Sequence, residues 1–97
     1  MSDPRIEISS LGGSCPVQGE GMVNGRPFYF RARHDHWSFA IATDPETDPV
    51  LIDSPAQGFY VEEEYTLLGK EGAGYMPVEE ARAIILRCAQ LFLEREA

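Results

Sequence analysis

Large apolar residues alternate with polar ones on both sides of an Asn-Gly pair, and this is the clearest pattern in the chain. Asn24 and Gly25 both tolerate positive φ, so they predict a two-residue type I′ turn between two antiparallel strands. In the register that this turn fixes, two phenylalanines lie opposite two glycines, which leave room for the rings or let another backbone approach closely. The predicted pairs are Phe28 with Gly21, Phe30 with Gly19, and Ala32 with Val17.

A second hairpin follows, because residues 37–43 alternate in the same way. A tight turn at residues 34–35 brings every large apolar residue of the three strands to one face of the sheet. This agreement of pattern and turn chemistry predicts a three-stranded meander from about Pro16 to Thr43. The predicted pairs across this hairpin are Ala32 with Trp37, Phe30 with Phe39, and Phe28 with Ile41.

The chain on either side of the meander offers further elements. Proline after Asp or Ser predicts a loop over residues 44–57, with a candidate short edge strand at 50–52. Residues 58–67 predict a fourth strand, in which Glu63 falls on the apolar face and so indicates a bulge or an exposed end. Residues 6–8 can add a further strand.

The C-terminal segment from Pro77 to about Glu94 has the features of a helix. Proline suits the first helical position, and acidic residues follow it at the positive end of the helix dipole. Apolar residues cover more than half of the circumference, so the helix must be covered on more than one side. A curved sheet that wraps the helix is the favoured interpretation, and a homodimer through the edge formed by Leu86 and Leu93 is the alternative. The central apolar stripe comprises Val78, Ala81, Ile85, Cys88 and Phe92.

These elements predict a single α+β domain over residues 1–97, with an antiparallel meander sheet of four to five strands packed against one C-terminal helix. No apolar run approaches the roughly 18 residues of a membrane span. The N-terminus lacks the basic and apolar regions of a secretory signal. Two cysteines are too few for a disulfide framework, so we expect reduced thiols, a cytoplasmic location and no membrane partner.

The formal net charge of −8 is concentrated in the middle of the chain. Residues 35–80 carry eleven acids and one base, a net charge of −10, and the remaining positions carry five acids and seven bases, a net charge of +2. An acidic patch is therefore predicted to engage a protein partner with a basic surface, and direct binding of nucleic acid is not expected. The competing interpretation is a solvated acidic face. The patch comprises Asp44, Glu46, Asp48, Asp53, Glu62, Glu63 and Glu64.

The polar face of the predicted sheet carries a second candidate site. Two arginines on one strand can clamp a carboxylate or a phosphate, which makes a small-ligand module or an enzyme the alternative function. Glu62 and Glu64 can reach across small residues of the neighbouring strand and pair with the arginines in a surface ion-pair network. The candidate ligand site comprises Glu20, Tyr29, Arg31 and Arg33.

Signals for a metal or for catalysis are weak. His34 and His36 lie at a strand end, and the predicted register places Cys15 opposite His34, a ligand set that zinc accepts. The chain has no Cys-x-x-Cys or His-Glu-x-x-His spacing, no nucleophile elbow and no Walker loop. We therefore expect a non-enzymatic protein without a metal or a cofactor.

Several short motifs resemble a family. They are Cys-Pro-Val-Gln at 15–18, Gly-Arg-Pro-Phe-Tyr-Phe-Arg-Ala-Arg at 25–33, Trp-Ser-Phe at 37–39 and Met-Pro-Val-Glu-Glu-Ala at 76–81. The pattern resembles short uncharacterised proteins of bacteria and their phages, and it extends over most of the chain. The resemblance supplies no catalytic residues. By analogy, a phage context implies a small inhibitor that binds a nucleic-acid-binding protein of the host.

Overall fold

Five antiparallel strands, joined in chain order, form the main sheet of the computed structural model, which describes residues 4–14, 16–44, 46–67 and 70–96. A C-terminal helix packs on one face of this sheet, so the predicted α+β meander is confirmed. The elements are β1 (Ile6–Gly12), β2 (Val17–Val23), β3 (Arg26–Arg33), β4 (His36–Ile41), β5 (Phe59–Glu64), the two-residue strands β6 (Thr66–Leu67) and β7 (Lys70–Glu71), and α1 (Val78–Glu96), with single 3-10 turns at Pro49–Leu51 and Ala73–Tyr75.

Both predicted hairpins have the predicted register. Asn24 and Gly25 adopt φ angles of 51° and 80°, as a type I′ turn requires. His34 adopts a φ of 59° in the second turn. Each of the six predicted cross-strand pairs is present between β2 and β3 or between β3 and β4. The alternation therefore places Phe28 and Phe30 on the helix side of the sheet, where both are buried.

The two glycines opposite the phenylalanines have different reasons for lacking a side chain. A Cβ at Gly19 would lie 3.1 Å from the Cδ1 of Ile85, because the helix approaches β2 closely there. A Cβ at Gly21 would lie 2.7 Å from Cε2 of Phe28 and would clash with the carbonyl oxygen of Glu7 in the neighbouring strand. Both predicted roles of these glycines are thus present. Gly21 leaves room for the Phe28 ring, and both glycines allow another element to approach closely.

The core lies between the inner face of the sheet and α1. Phe28, Phe39, Phe59 and Phe92 form a chain of ring contacts from the middle of the sheet to the helix, with centroid separations of 5.2–6.3 Å. Leu93 is only 3 % exposed, so this helix edge is covered within one chain. The other buried helix residues are Ala81, Ile84, Ile85, Cys88 and Ala89.

The structure corrects the predicted edge strand at 50–52. Residues Pro49–Leu51 form a 3-10 turn, because Asp48 caps it by accepting a hydrogen bond from the Val50 amide at 3.0 Å. Pro49 has no amide hydrogen for a strand ladder and suits the start of such a turn. Ile52 follows and is buried against Ala40, Ala42 and Tyr60 on the outer face of the sheet.

The predicted fourth strand, β5, is also shorter than expected. It ends at Glu64 rather than Leu67, because the Tyr65 amide leaves the ladder and donates to the Asp35 carbonyl at 2.6 Å. Residues 66–67 then pair with Lys70–Glu71 in a separate two-stranded sheet. The expected exposed end at Glu63 is present without a bulge, since the β4–β5 register runs unbroken.

Candidate functional site

The predicted acidic patch is built mainly by residues 43–58, which connect β4 to β5 and are called the acidic loop below. This loop folds onto the outer face of β3 and β4. Ile52 fixes it to the sheet, with a relative exposure of 5 %. Side-chain oxygens hold its turns, because Asp44 accepts from the Glu46 amide at 2.9 Å and Asp48 accepts from the Val50 amide. Side-chain hydrogen bonds and the burial of Ile52 thus hold the loop in a defined shape on the sheet.

Two aliphatic side chains project from this acidic loop. Leu51 is 71 % exposed and Val50 is 50 % exposed, and Leu51 is the most exposed large apolar residue in the described part of the chain. Asp48 and Asp53 lie on either side of them in the sequence, and both are exposed. Val50 and Leu51 thus form an exposed apolar pair that carboxylates flank in the sequence.

The three glutamates of β5 do not form one cluster. Successive side chains of a strand point to opposite faces, so Glu62 and Glu64 lie on the outer face and Glu63 on the helix face. Glu63 forms an ion pair with Arg87 of α1 at 3.4 Å, and the Arg87 guanidinium lies 5.9 Å from the centre of the Trp37 ring. Glu63 therefore lies on the helix side of the sheet, where it pairs with an arginine beside the core residue Trp37.

Glu62 continues the acidic surface beyond the loop. It accepts a hydrogen bond of 2.8 Å from the Tyr60 hydroxyl. Burial raises the pKa of Tyr60, and the hydrogen bond and charge of Glu62 raise it further, with a smaller effect from the charge of Asp53. Glu62 is thus held beside Tyr60, which packs against Ile52 of the acidic loop.

The predicted ion pairs between the β5 glutamates and the arginines of β3 do not form among the residues that the structure describes. Ser38 lies between Arg31 and Glu62 in the register, and His36 lies between Arg33 and Glu64. The basic side chain that does approach Glu62 is His36, whose Nε2 lies 3.8 Å from a Glu62 oxygen.

The alternative ligand site is only partly assembled. A groove of about 270 Å³ lies on the outer face between the 3-10 turn and strands β1–β3, and we call it the outer groove. Its lining includes Glu20 and Tyr29, and the Tyr29 hydroxyl is held by a hydrogen bond of 3.0 Å from Gln18. Arg31 and Arg33 are outside the lining.

Sequence reasoning did not place Met22, Asp48 or Val50 in this groove. All three line it, and Met22 is 37 % exposed. The Asp48-Pro49 pair is a recognisable start of a helical turn and could have indicated the fold of the loop. Nothing in the local sequence indicates that the turn lies against β3 and β4 and faces β2 across the groove.

The histidines of the metal candidate lie at the tip of the second hairpin. His34 is exposed in the turn, and the Nδ1 of His36 lies 3.2 Å from an oxygen of Asp35. This hydrogen bond is the main cause that lowers the pKa of Asp35 below its ordinary value. Cys15 lies outside the described residues. Across the described ranges, no three His, Cys, Asp or Glu side chains are grouped so that they could hold a metal ion.

The surface considered for a homodimer is reduced in the structure. Leu93 is buried within its own chain, and Leu86 is half-buried. No helix in the described part of the chain has the length and apolar character needed to cross a membrane.

Comparison with protein-family models, with curated proteins and with solved structures found no match to this chain.

Proposed function

We propose that this chain is a small, acidic, non-enzymatic binding protein that engages a basic surface of a protein partner through the acidic loop. The observation that carries the proposal is the joint exposure of Val50 and Leu51 between carboxylates on a loop that is anchored to the sheet. Apolar surface bordered by polar residues is the kind of surface through which proteins interact.

The physical roles of the two kinds of side chain differ. Carboxylates steer a basic partner towards the loop and select it against acidic competitors. An exposed leucine that enters a pocket of the partner supplies apolar burial worth about 1.5–3 kcal/mol when complete. Because Asp44, Asp48 and Ile52 already fix the loop, little conformational entropy is lost on binding.

The more specific form of the proposal is a phage-type inhibitor of a nucleic-acid-binding host protein in the cytoplasm. It is supported by the resemblance in the sequence motifs and by the net charge of −8. Nucleic-acid-binding proteins present Lys and Arg to phosphates, so an acidic loop can occupy the same basic groove in competition with nucleic acid.

A pair of variants with equal charge change tests the role of the loop. The loop variant carries Asp44→Asn, Glu46→Gln and Asp53→Asn, and the amide oxygen of the asparagine introduced by Asp44→Asn can still accept the hydrogen bond that forms the turn. The control carries Glu7→Gln, Glu79→Gln and Glu94→Gln, which are exposed and lie elsewhere on the surface. Leu51→Ser is the third variant.

The parent and the three variants serve as baits to capture proteins from nuclease-treated bacterial lysate at low and at high salt, with identification by mass spectrometry. Proteins held by the parent and by the control are expected to be lost from the loop variant and from Leu51→Ser, and to weaken as salt rises. Equal capture by all four baits, or capture that is insensitive to salt, would contradict the proposal.

A further inference from the structure

The outer groove has a mixed lining that limits what can bind in it. Met22 and Val50 provide exposed apolar surface, with relative exposures of 37 % and 50 %. Glu20 and Asp48 provide carboxylates, and no Lys, Arg or His is present in the lining as far as the structure describes it. The groove therefore disfavours an anion and suits a cation with an aliphatic body.

The size of the groove further limits the ligands that it can bind. Pockets for drug-sized molecules and cofactors have volumes of about 300–1,000 Å³. The outer groove has about 270 Å³ and is open to solvent on one side, so its size suits a single amino-acid side chain. A nucleotide is disfavoured by charge, because its phosphates would meet the carboxylates of Glu20 and Asp48.

One carboxylate is already oriented for such a contact. Asp48 uses one oxygen to accept from the Val50 amide at 3.0 Å, which fixes the carboxyl group and leaves its second oxygen for another donor. Glu20 is exposed, and the backbone beneath it is tied to β1 because the Ser9 hydroxyl donates to the Glu20 carbonyl at 3.0 Å.

We propose that the outer groove receives a lysine or arginine side chain of the protein partner, with the aliphatic stem against Met22 and Val50 and the cationic group between Glu20 and Asp48. This rests on the proposed function and adds a defined binding position to it. Glu20 and Tyr29 were predicted to bind an anion together with two arginines. In this proposal they line a groove that binds a cation instead.

The probes for this groove are blocked amino acids with neutral ends. Nα-acetyl-lysine amide is compared with the norleucine compound, which keeps the stem but lacks the charge, and with the glutamate compound. Binding is followed by NMR at the methyl group of Met22, assigned with a Met22→Leu variant. The lysine probe is expected to bind about fivefold to tenfold more tightly than the norleucine probe.

Matched variants locate the binding. Glu20→Gln and Asp48→Asn together should remove most of the preference for lysine, while Glu94→Gln on α1, at the opposite face of the sheet, should leave it unchanged. The asparagine introduced by Asp48→Asn can still accept from the Val50 amide through its amide oxygen, so the fold of the turn is kept. Equal binding of lysine and norleucine probes, or stronger binding of glutamate, would overturn the inference.

The two proposals fail in different experiments. The loop variant with Asp44→Asn, Glu46→Gln and Asp53→Asn leaves the groove intact and should still bind the lysine probe. If the Glu20→Gln, Asp48→Asn variant captured the same proteins as the parent, the groove would hold a free amine at most, and its assignment to the partner would be wrong. The proposed function would then still stand on the loop variant.

Discussion

The substitution Gly21→Ala adds one methyl group to β2 and so tests how closely β1 approaches it. The Cβ of an alanine there would clash with the carbonyl oxygen of Glu7 and would lie 2.7 Å from Cε2 of Phe28. Neither neighbour can move freely, because the oxygen belongs to the paired strand β1 and Phe28 is 1 % exposed in the core. Gly21→Ala must therefore displace β1 or the ring.

The expected magnitude follows from two opposing contributions. Replacing glycine by alanine reduces the entropy of the unfolded chain, which favours the fold by about 0.4–1 kcal/mol. Overpacking typically destabilises by about 1–3 kcal/mol, and a backbone clash belongs at the upper end of that range. We expect a net loss of about 1–2 kcal/mol in the free energy of unfolding, or roughly 5–15 °C in Tm for a domain of this size.

The assay is urea unfolding followed by the fluorescence of Trp37, which is the single tryptophan and is 2 % exposed in the fold. Gly12→Ala at the end of β1 is the matched control, because a Cβ there meets no heavy atom within 4 Å. The control should be neutral or more stable by up to about 1 kcal/mol. If Gly21→Ala unfolded at the same urea concentration as the control with an unchanged slope, the packing described for β1 would be wrong.

Three further measurements address the core, a phenol and a thiol. Ile85→Ala should lower the free energy of unfolding by about 2–5 kcal/mol, because Ile85 is fully buried. Leu91→Ala is the control and should change it by less than about 1 kcal/mol, because Leu91 is 43 % exposed. Similar values for both variants in urea unfolding would contradict the placement of α1. Burial and the hydrogen bond of 2.6 Å to Glu80 raise the pKa of Tyr65 to about 12. A pKa that is higher in the folded state than in the unfolded state means that the protonated phenol stabilises the fold. This contribution is complete below about pH 10 and is lost as the pH rises to about 12. The difference in Tm between the parent and Tyr65→Phe should therefore shrink from about pH 10 to about pH 12, and a constant difference would contradict the contact. Burial raises the pKa of Cys88 to about 11, and labelling with a maleimide, followed by peptide mass spectrometry, should modify it only as fast as the chain opens; rapid labelling in native buffer would disagree.

Local patterns were sufficient for most of the fold. Asn24-Gly25 fixes one register through its turn, and period-two alternation then places Phe28, Phe30 and Phe39 on one face without knowledge of the rest of the chain. The helix follows from its periodicity and its starting proline, although it begins at Val78 and extends to Glu96.

The errors arise where distant segments meet. The fourth strand ends early because the Tyr65 amide bonds to the Asp35 carbonyl, a contact with the tip of another hairpin. Residues 50–52 turn because Asp48 caps them and Ile52 is buried on the outer face of the sheet. An apolar triplet in the sequence cannot show which of its members is buried.

The candidate site was predictable in its charge but not in its shape. Alternation along β5 is enough to place Glu63 on the opposite face from Glu62 and Glu64, as the register confirms. The outer groove was not predictable, because it forms between the 3-10 turn and strands β2 and β3, which lie at least sixteen residues earlier in the chain.

The anchoring of the acidic loop through Ile52 has a consequence for how this protein can change. Of the loop residues that the structure describes, Ile52 is the one that is buried, so its neighbours make little contribution to the core. Substitutions at Glu46, Val50, Leu51 and Asp53 should therefore change folding stability little, and under the proposed function they would change the target. The scaffold can be diversified at its loop much as an antibody domain is at its hypervariable segments. A library randomised at these four positions with Ile52 held fixed should consist mainly of folded members.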